Sequence, residues 1–164
     1  MKKPTIREMK WLNKGFVKGH SYNRFIAKAD DSLFLTESDE NFELTCSIKQ
    51  SSVDQGFIVS LTDLTYFSIA ISEQIKITTS IKGYSSTVYF DIAQYLNNKS
   101  FTEFKMDRQE DTIRYYLKNK DGYQQVAQAT LNGAKDAISF GFFLNSNIEM
   151  TVEDFSYIRK SQNN

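Results

Sequence analysis

The densest acidic string in the sequence is Glu37-Ser38-Asp39-Glu40-Asn41-Phe42-Glu43. Two carboxyl groups about 5–5.5 Å apart suit a retaining glycosidase, and alternate residues of a strand share one face. Glu37 and Asp39 meet that alternation. The string is polar and runs into an apolar alternation only at Phe42, which is the pattern of a solvated turn, so no catalytic residue is assigned there. Asp107, Glu110 and Asp111 flank Arg108 and read as a charged hairpin turn. Calcium needs about 6–8 oxygen ligands, and no calcium-loop spacing is present, so no metal site is expected. Cys46 is the only cysteine and His20 the only histidine. A single cysteine forms no internal disulfide, and one histidine supports neither a triad nor a histidine-rich zinc site. Cys46 falls on the apolar phase of Phe42–Ile48 and reads as a buried thiol, and His20, beside Gly19, as a surface residue. No phosphate loop, dinucleotide fingerprint or Cys-x-x-Cys occurs, so no cofactor is expected.

Aromatic rings with polar neighbours offer a different chemistry. A sugar presents an apolar C–H face to a ring and hydroxyls to hydrogen-bonding groups. The sequence is rich in rings, with 13 Phe and 9 Tyr. Tyr66 lies in a polar phase with Ser68, Arg114 shares one with Tyr116, and Gln55 stands at the mouth of the strand before Tyr66. The core phases beside them are Phe67, Ile69 and Ile71 in one strand and Ile113, Tyr115 and Leu117 in the other. Tyr66, Arg114 and Tyr116 therefore face away from the core, and form a groove if their strands are neighbours.

The elements that must position these residues are strands. Period-two alternation recurs through Ser32–Thr36, Phe42–Lys49, Gly56–Thr62, Tyr66–Ser72, Gln74–Lys82, Ser85–Phe90, Thr102–Arg108, Thr112–Lys118, Tyr123–Leu131, Ala137–Leu144 and Met150–Ile158. Gly56–Thr62 is apolar on both phases, as a strand covered on both faces would be. Gly83-Tyr84, Asn119-Lys120-Asp121-Gly122 and Asn132-Gly133 read as turns. Only Asp91–Asn97 has the spacing of a short helix or helical turn. Trp11 reads as an anchor for the N-terminal segment, and the last residues, Ser161 to Asn164, as frayed. The chain of 164 residues fits one domain, with a core from about 11 to 159. Lys plus Arg and Asp plus Glu are 20 each, so no basic excess points to nucleic acid. No 18-residue apolar stretch occurs, so no membrane span is expected, and without a signal-peptide pattern the expected location is cytoplasmic.

Three stretches carry a resemblance. Lys10-Trp11-Leu12-Asn13 is one. Asp54-Gln55-Gly56-Phe57-Ile58-Val59 with Tyr66-Phe67-Ser68-Ile69-Ala70-Ile71 is the second. Thr112-Ile113-Arg114-Tyr115-Tyr116-Leu117 through Asp121-Gly122, Ile138–Phe142 and Val152-Glu153-Asp154-Phe155 form the third. Together they resemble the concanavalin A-like lectin/glucanase superfamily, and within it a bacterial family of "regulation of enolase"-type domains. The resemblance spans Trp11 to Ile158. The family's usual tryptophan is Tyr66-Phe67 here, and a loop before Phe42 is missing. Glucanases of the superfamily carry Glu-x-Asp-x-x-Glu or Glu-x-Asp-x-Glu on a strand, and Glu43 stands one residue too far from Asp39 to complete it.

The fold expected is all-β, a two-sheet antiparallel jelly-roll sandwich of the concanavalin A-like kind. The resemblance implies a groove on the concave sheet, with Tyr66 and Tyr116 as stacking surfaces and Arg114 and Gln55 as hydrogen-bonding partners. The function expected is a non-enzymatic carbohydrate- or ligand-binding module, its partner a glycan or other small molecule. The alternatives are a small glycan-active hydrolase of the same superfamily and a protein-interaction domain.

Overall fold

A computed structural model describes residues 4–12, 15–20, 23–132 and 137–160, with the backbone alone at 7, 15–20, 29–31 and 146–148. The strands are β1 (Lys10–Trp11), β2 (Gly15–His20), β3 (Phe25–Ser38), β4 (Phe42–Lys49), β5 (Gln55–Thr62) and β6 (Thr65–Ile71). They continue as β7 (Ile75–Ile81), β8 (Tyr84–Phe90), β9 (Phe101–Gln109), β10 (Thr112–Asn119), β11 (Gly122–Thr130) and β12 (Ile138–Arg159). Helix is confined to short 3-10 turns at Ile6–Glu8 and Ala93–Tyr95. The second is what the sequence places at Asp91–Asn97.

The strands form two antiparallel sheets, as the alternation predicts. Two long strands belong to both. β12 pairs with β3 from Ile138 to Val152; its other edge takes β5 at Ser139–Leu144 and β4 at Val152–Arg159. The first sheet thus runs β8-β7-β6-β5-β12, with β3 and β1 beyond, and the second runs β11-β10-β9-β4-β12, with β3 and β2 beyond. The β3–β12 ribbon joins them into one continuous ladder of hydrogen bonds.

The sequence differs from the structure at this ribbon. It reads β3 as starting at Ser32, ends one strand at Leu144 and begins another at Met150. β12 passes through that stretch with register shifts between Leu144 and Met150, and again between Glu153 and Ser156, where Asp154 has a φ of 54°. Bulges of this kind absorb extra residues without ending a strand. The side chain of His20, Gly133 and residues 161–164 lie outside the described residues.

Rings fill the space between the sheets. Phe57 of β5 lies 4.9 Å from Phe104 of β9 and 6.0 Å from Tyr115 of β10. Tyr115 stacks on Phe67 of β6 at 4.1 Å and donates its hydroxyl to the Phe67 carbonyl at 2.5 Å. That bond crosses from one sheet to the other and satisfies a polar group that would otherwise be costly to bury. Burial pushes the Tyr115 hydroxyl well above its ordinary pKa. The Cys46 thiol is buried as predicted, and burial, with Asp154 adding, pushes it far up as well. Trp11 packs its ring on Phe34 at 4.7 Å, pairing β1 to β3.

The acidic string is a clamp at one end of the sandwich. Glu37 and Ser38 finish β3, and Asp39 and Glu40 form the turn. The Tyr157 hydroxyl donates to Glu40 Oε2 at 2.6 Å and meets Ser38 Oγ at 2.7 Å. Arg108 is fully buried and donates to the carbonyls of Ser38, Glu40 and Glu110 at 3.0–3.1 Å. Burial, and then the bond to Glu40, raises the Tyr157 pKa.

Candidate functional site

Alternation gives each sheet an outer face, and the two differ. On the first sheet the outward residues include Leu33 and Leu35 of β3, Phe143 of β12, Ile58 and Ser60 of β5, and Tyr66 and Ala70 of β6. Ile58, Ala70 and Phe143 are buried there against Leu33, Leu35 and Tyr66, as a cluster separate from the main core. Their position follows from register: Ser60 lies opposite Tyr66, Gly56 opposite Ala70 and Phe143. Gly56 is bare for a reason. A Cβ there would stand 1.9 Å from the Ile69 carbonyl oxygen.

An open groove of about 670 Å³ follows this cluster along β5. Ile58 and Leu33 form its floor, Tyr66 one wall, and Ser60, Thr62, Asp63 and Asn145 supply polar groups. Ser60 Oγ is committed to the Thr62 carbonyl at 3.1 Å, and Thr62 Oγ1 accepts from the backbone at Leu64 and Thr65. The side chains of Tyr66, Asp63 and Asn145 have no hydrogen-bond partner among the described residues. Lys76 and Asp54 stand on the same face, 3.0 Å apart. The hydrogen bond to Asp54 raises the Lys76 pKa, with Tyr89 and Tyr66 adding smaller contributions.

The outer face of the second sheet is internally satisfied. Lys105 Nζ lies 4.4 Å from the Tyr116 ring centre and 5.0 Å from that of Tyr123. Arg114 donates to Gln128 at 3.0 Å and pairs with Asp107 at 3.5 Å, and Asp107 also pairs with Lys160. Lys118 pairs with Glu103. Burial, with Asp107 next, raises the Tyr116 pKa.

The four residues named from sequence do not share a surface. Arg114 and Tyr116 are together on β10, in the second sheet. Tyr66 is outward, as alternation requires, on β6 of the first sheet, so the full thickness of the sandwich separates them. Gln55 is completely buried; its amide donates to the carbonyls of Lys49 at 2.7 Å and Ile71 at 2.8 Å. It ties the end of β6 to the end of β4. Period-two alternation sorts residues into inward and outward, and carries no information on which sheet a strand joins. The signal that did point to the groove is the two-phase apolar character of Gly56–Thr62: Ile58 sits on the nominally polar phase. Among the described residues no group of three or more His, Cys, Asp or Glu is placed to hold a metal ion. Of the acidic residues around Arg108, Asp107 is held by Arg114 and Lys160, and Glu110 by Asn41.

The strands thus make an all-β antiparallel sandwich whose two sheets share a long ribbon. No protein-family model and no curated protein matches the chain. Solved structures do. A functionally unknown protein from Saccharomyces cerevisiae aligns with a TM-score of 0.77 at 14% identity, over 97% of this chain and 100% of that one. A legume lectin-like domain from Entamoeba histolytica aligns at 0.62 and 10% identity, over 95% and 92%. A xylan beta-1,4-xylosidase from Bacillus halodurans C-125 aligns at 0.69 and 9% identity, covering 83% of this chain and 33% of the enzyme. The chain thus spans about a third of that enzyme's length.

Proposed function

We propose that this protein is a non-hydrolytic glycan-binding module whose ligand lies in the groove on the outer face of the first sheet. Tyr66 supplies the stacking ring, Ile58 and Leu33 the apolar floor, and Asn145 and Asp63 the hydrogen-bonding groups. The groove volume is within the range of about 300–1,000 Å³ of small-ligand sites. The lectin-like and xylosidase names of two structural neighbours support a glycan-related reading. The sequence resemblance to "regulation of enolase"-type domains belongs to the same reading.

One observation favours binding over hydrolysis. Among the described residues, two carboxylates flank β5, Asp54 just before it and Asp63 just after it. Eight strand residues lie between them, roughly 25–30 Å at 3.3 Å per residue. Glycosidase carboxyl pairs stand about 5–9.5 Å apart. Asp54 is also held by Lys76. These two carboxylates cannot act on one glycosidic bond.

The test is a glycan array followed by calorimetry. A stacked ring contributes on the order of 0.5–1.5 kcal/mol beyond its area, so Tyr66→Ala should weaken a hit by several-fold up to about tenfold. Tyr116→Ala, on the opposite face, should leave affinity unchanged. The reverse result would move the site to the second sheet. Chromogenic xylosides should not be turned over, and turnover would sink the non-hydrolytic reading.

A further inference from the structure

Among the described residues, no strand faces β8, the last strand of the first sheet. Ring contacts set β5 over β9 and β10, and β6 over β10. Two strands, β7 and β8, extend past β6, but only β11 extends past β10. β8 therefore overhangs. Its inward phase, which would otherwise be core, is left in solvent: Tyr84 is 83% exposed, Val88 51% and Phe90 37%, with the outward Tyr89 at 58%. Among the described residues β8 pairs only with β7, so its far edge is unpaired.

Edge strands usually carry a charge, a proline or a bulge that blocks further pairing. Tyr84-Ser85-Ser86-Thr87-Val88-Tyr89-Phe90 carries none of them, and its register with β7 is unbroken. β11, the opposite edge, is different: its pairing with β10 shifts register between Tyr115 and Tyr116.

We propose that this edge is the seat of a second copy of the chain, with β8 pairing antiparallel to β8 across a twofold axis centred on Thr87. The hairpin chemistry and the length of the strand together favour that register. Lys82 and Gly83 form the two-residue turn between Ile81 and Tyr84, with φ values of 53° and 89°. In such a turn the flanking residues are a hydrogen-bonded pair. Residues 84, 86, 88 and 90 thus direct their N–H and C=O groups at β7, and 85, 87 and 89 direct theirs at the free edge. A symmetric pairing must match outward-directed residues with one another. Centring on Thr87 pairs Ser85 with Tyr89, Thr87 with itself and Tyr89 with Ser85, giving about six backbone hydrogen bonds, two per pair. Centring on Ser86 or Val88 leaves two such pairs within the strand, about four bonds, and centring between two residues gives none.

The side chains agree with this register. Tyr84 falls opposite Phe90 and Ser86 opposite Val88 on the inward face, so the overhanging apolar strips of the two copies merge. Gly83 falls opposite Asp91, which brings Lys82 of each copy beside Asp91 of the other. Opposite charges meet at both ends and no like charges meet between. The axis runs along the sheet normal, so the outer faces of both copies look the same way.

Sedimentation equilibrium of the full chain tests this, with Thr87→Pro and Val88→Lys as variants. Thr87 offers its N–H to the free edge, so proline there spares the β7 ladder. The wild type should form a concentration-dependent dimer. Each variant should raise the dissociation constant at least tenfold while keeping the circular dichroism spectrum and urea midpoint of the wild type. Thr87→Cys adds a check on register. Two Thr87 positions across the axis are about 5.5 Å apart at Cα, within disulfide range, so oxidised glutathione should link Thr87→Cys dimers and leave Ser85→Cys unlinked. A wild type that stays monomeric to about 1 mM overturns the proposal, as it would if β8 instead served another protein. A dimer untouched by both variants overturns it too.

Discussion

Across the first sheet, Tyr66, Ile58 and Phe143 close on one another and leave the side chains of Asn145 and Asp63 unpartnered. Across the second sheet, Lys105 lies against two tyrosine rings, and Arg114 holds both Gln128 and Asp107. Both faces are the outward phase of antiparallel strands, and both contain tyrosine beside polar groups. A ligand on the second face must first separate groups already bonded to each other. On the first face it displaces water from an apolar floor and from polar tips with nothing else to bind. Aromatic content alone therefore does not mark a site. What marks it is whether the polar groups around the ring are already satisfied.

The largest effect that bears on this comparison comes from the core that both faces share. Unfolded cysteine titrates near 9.0 and unfolded tyrosine near 10.0. Folded Cys46, Tyr115 and Tyr157 are all raised. Their stabilisation is complete below those unfolded values and declines as pH climbs through them toward the folded ones. Stability from urea melts should therefore fall by on the order of 2–3 kcal/mol between pH 8 and 10.5. Cys46→Ala should delay the onset of the decline from about pH 9 to about pH 10. Strand signal and groove binding should be lost at one urea concentration. A groove that fails first would mean the two faces melt separately.

The next effect distinguishes the faces directly. Gly56→Ala forces a methyl group against the Ile69 backbone under the groove and should destabilise by about 2–3 kcal/mol. Thr45→Ala, outward on the second sheet, should stay within about 0.5 kcal/mol. Equal effects would remove the close strand approach from the account of the groove.

The smallest effect concerns the satisfied face. Lys105→Ala should lose about 0.5–1 kcal/mol of cation–π stabilisation, and Arg114→Ala about 0.2–1 kcal/mol, the latter diminishing in 0.5 M salt. Both should leave groove affinity alone. A change in affinity from either would join the faces functionally.

The sequence made the strands legible because each buries one phase: Phe42, Leu44, Cys46 and Ile48 are all buried, as are Ile113, Tyr115 and Leu117. It concealed β2 and the first half of β3, whose charged and glycine-containing residues show no clean alternation. It also concealed the continuity of β12, where polar residues ride through on bulges. The site was half legible. Tyr66 is outward as predicted, while its grouping with Arg114 and Tyr116 required knowing that β6 and β10 enter different sheets. That choice is made by contacts distant in sequence, such as Phe57 with Phe104. Gln55 reads as a polar residue at a strand mouth, and only the nearby carbonyls of Lys49 and Ile71 reveal why it is buried.

The ribbon of β3 and β12 sets a condition on how the molecule comes into being. β12 is the last strand of the described chain and lies in the middle of both sheets, so every strand made before it waits for it. A nascent chain that ends before Ile138 has β4 and β5 each missing a neighbour, with their inner rings uncovered. Closure is then a late, single event that draws together strands far apart in sequence. Such long-range pairing makes for slow folding and prolonged exposure of unpaired edges.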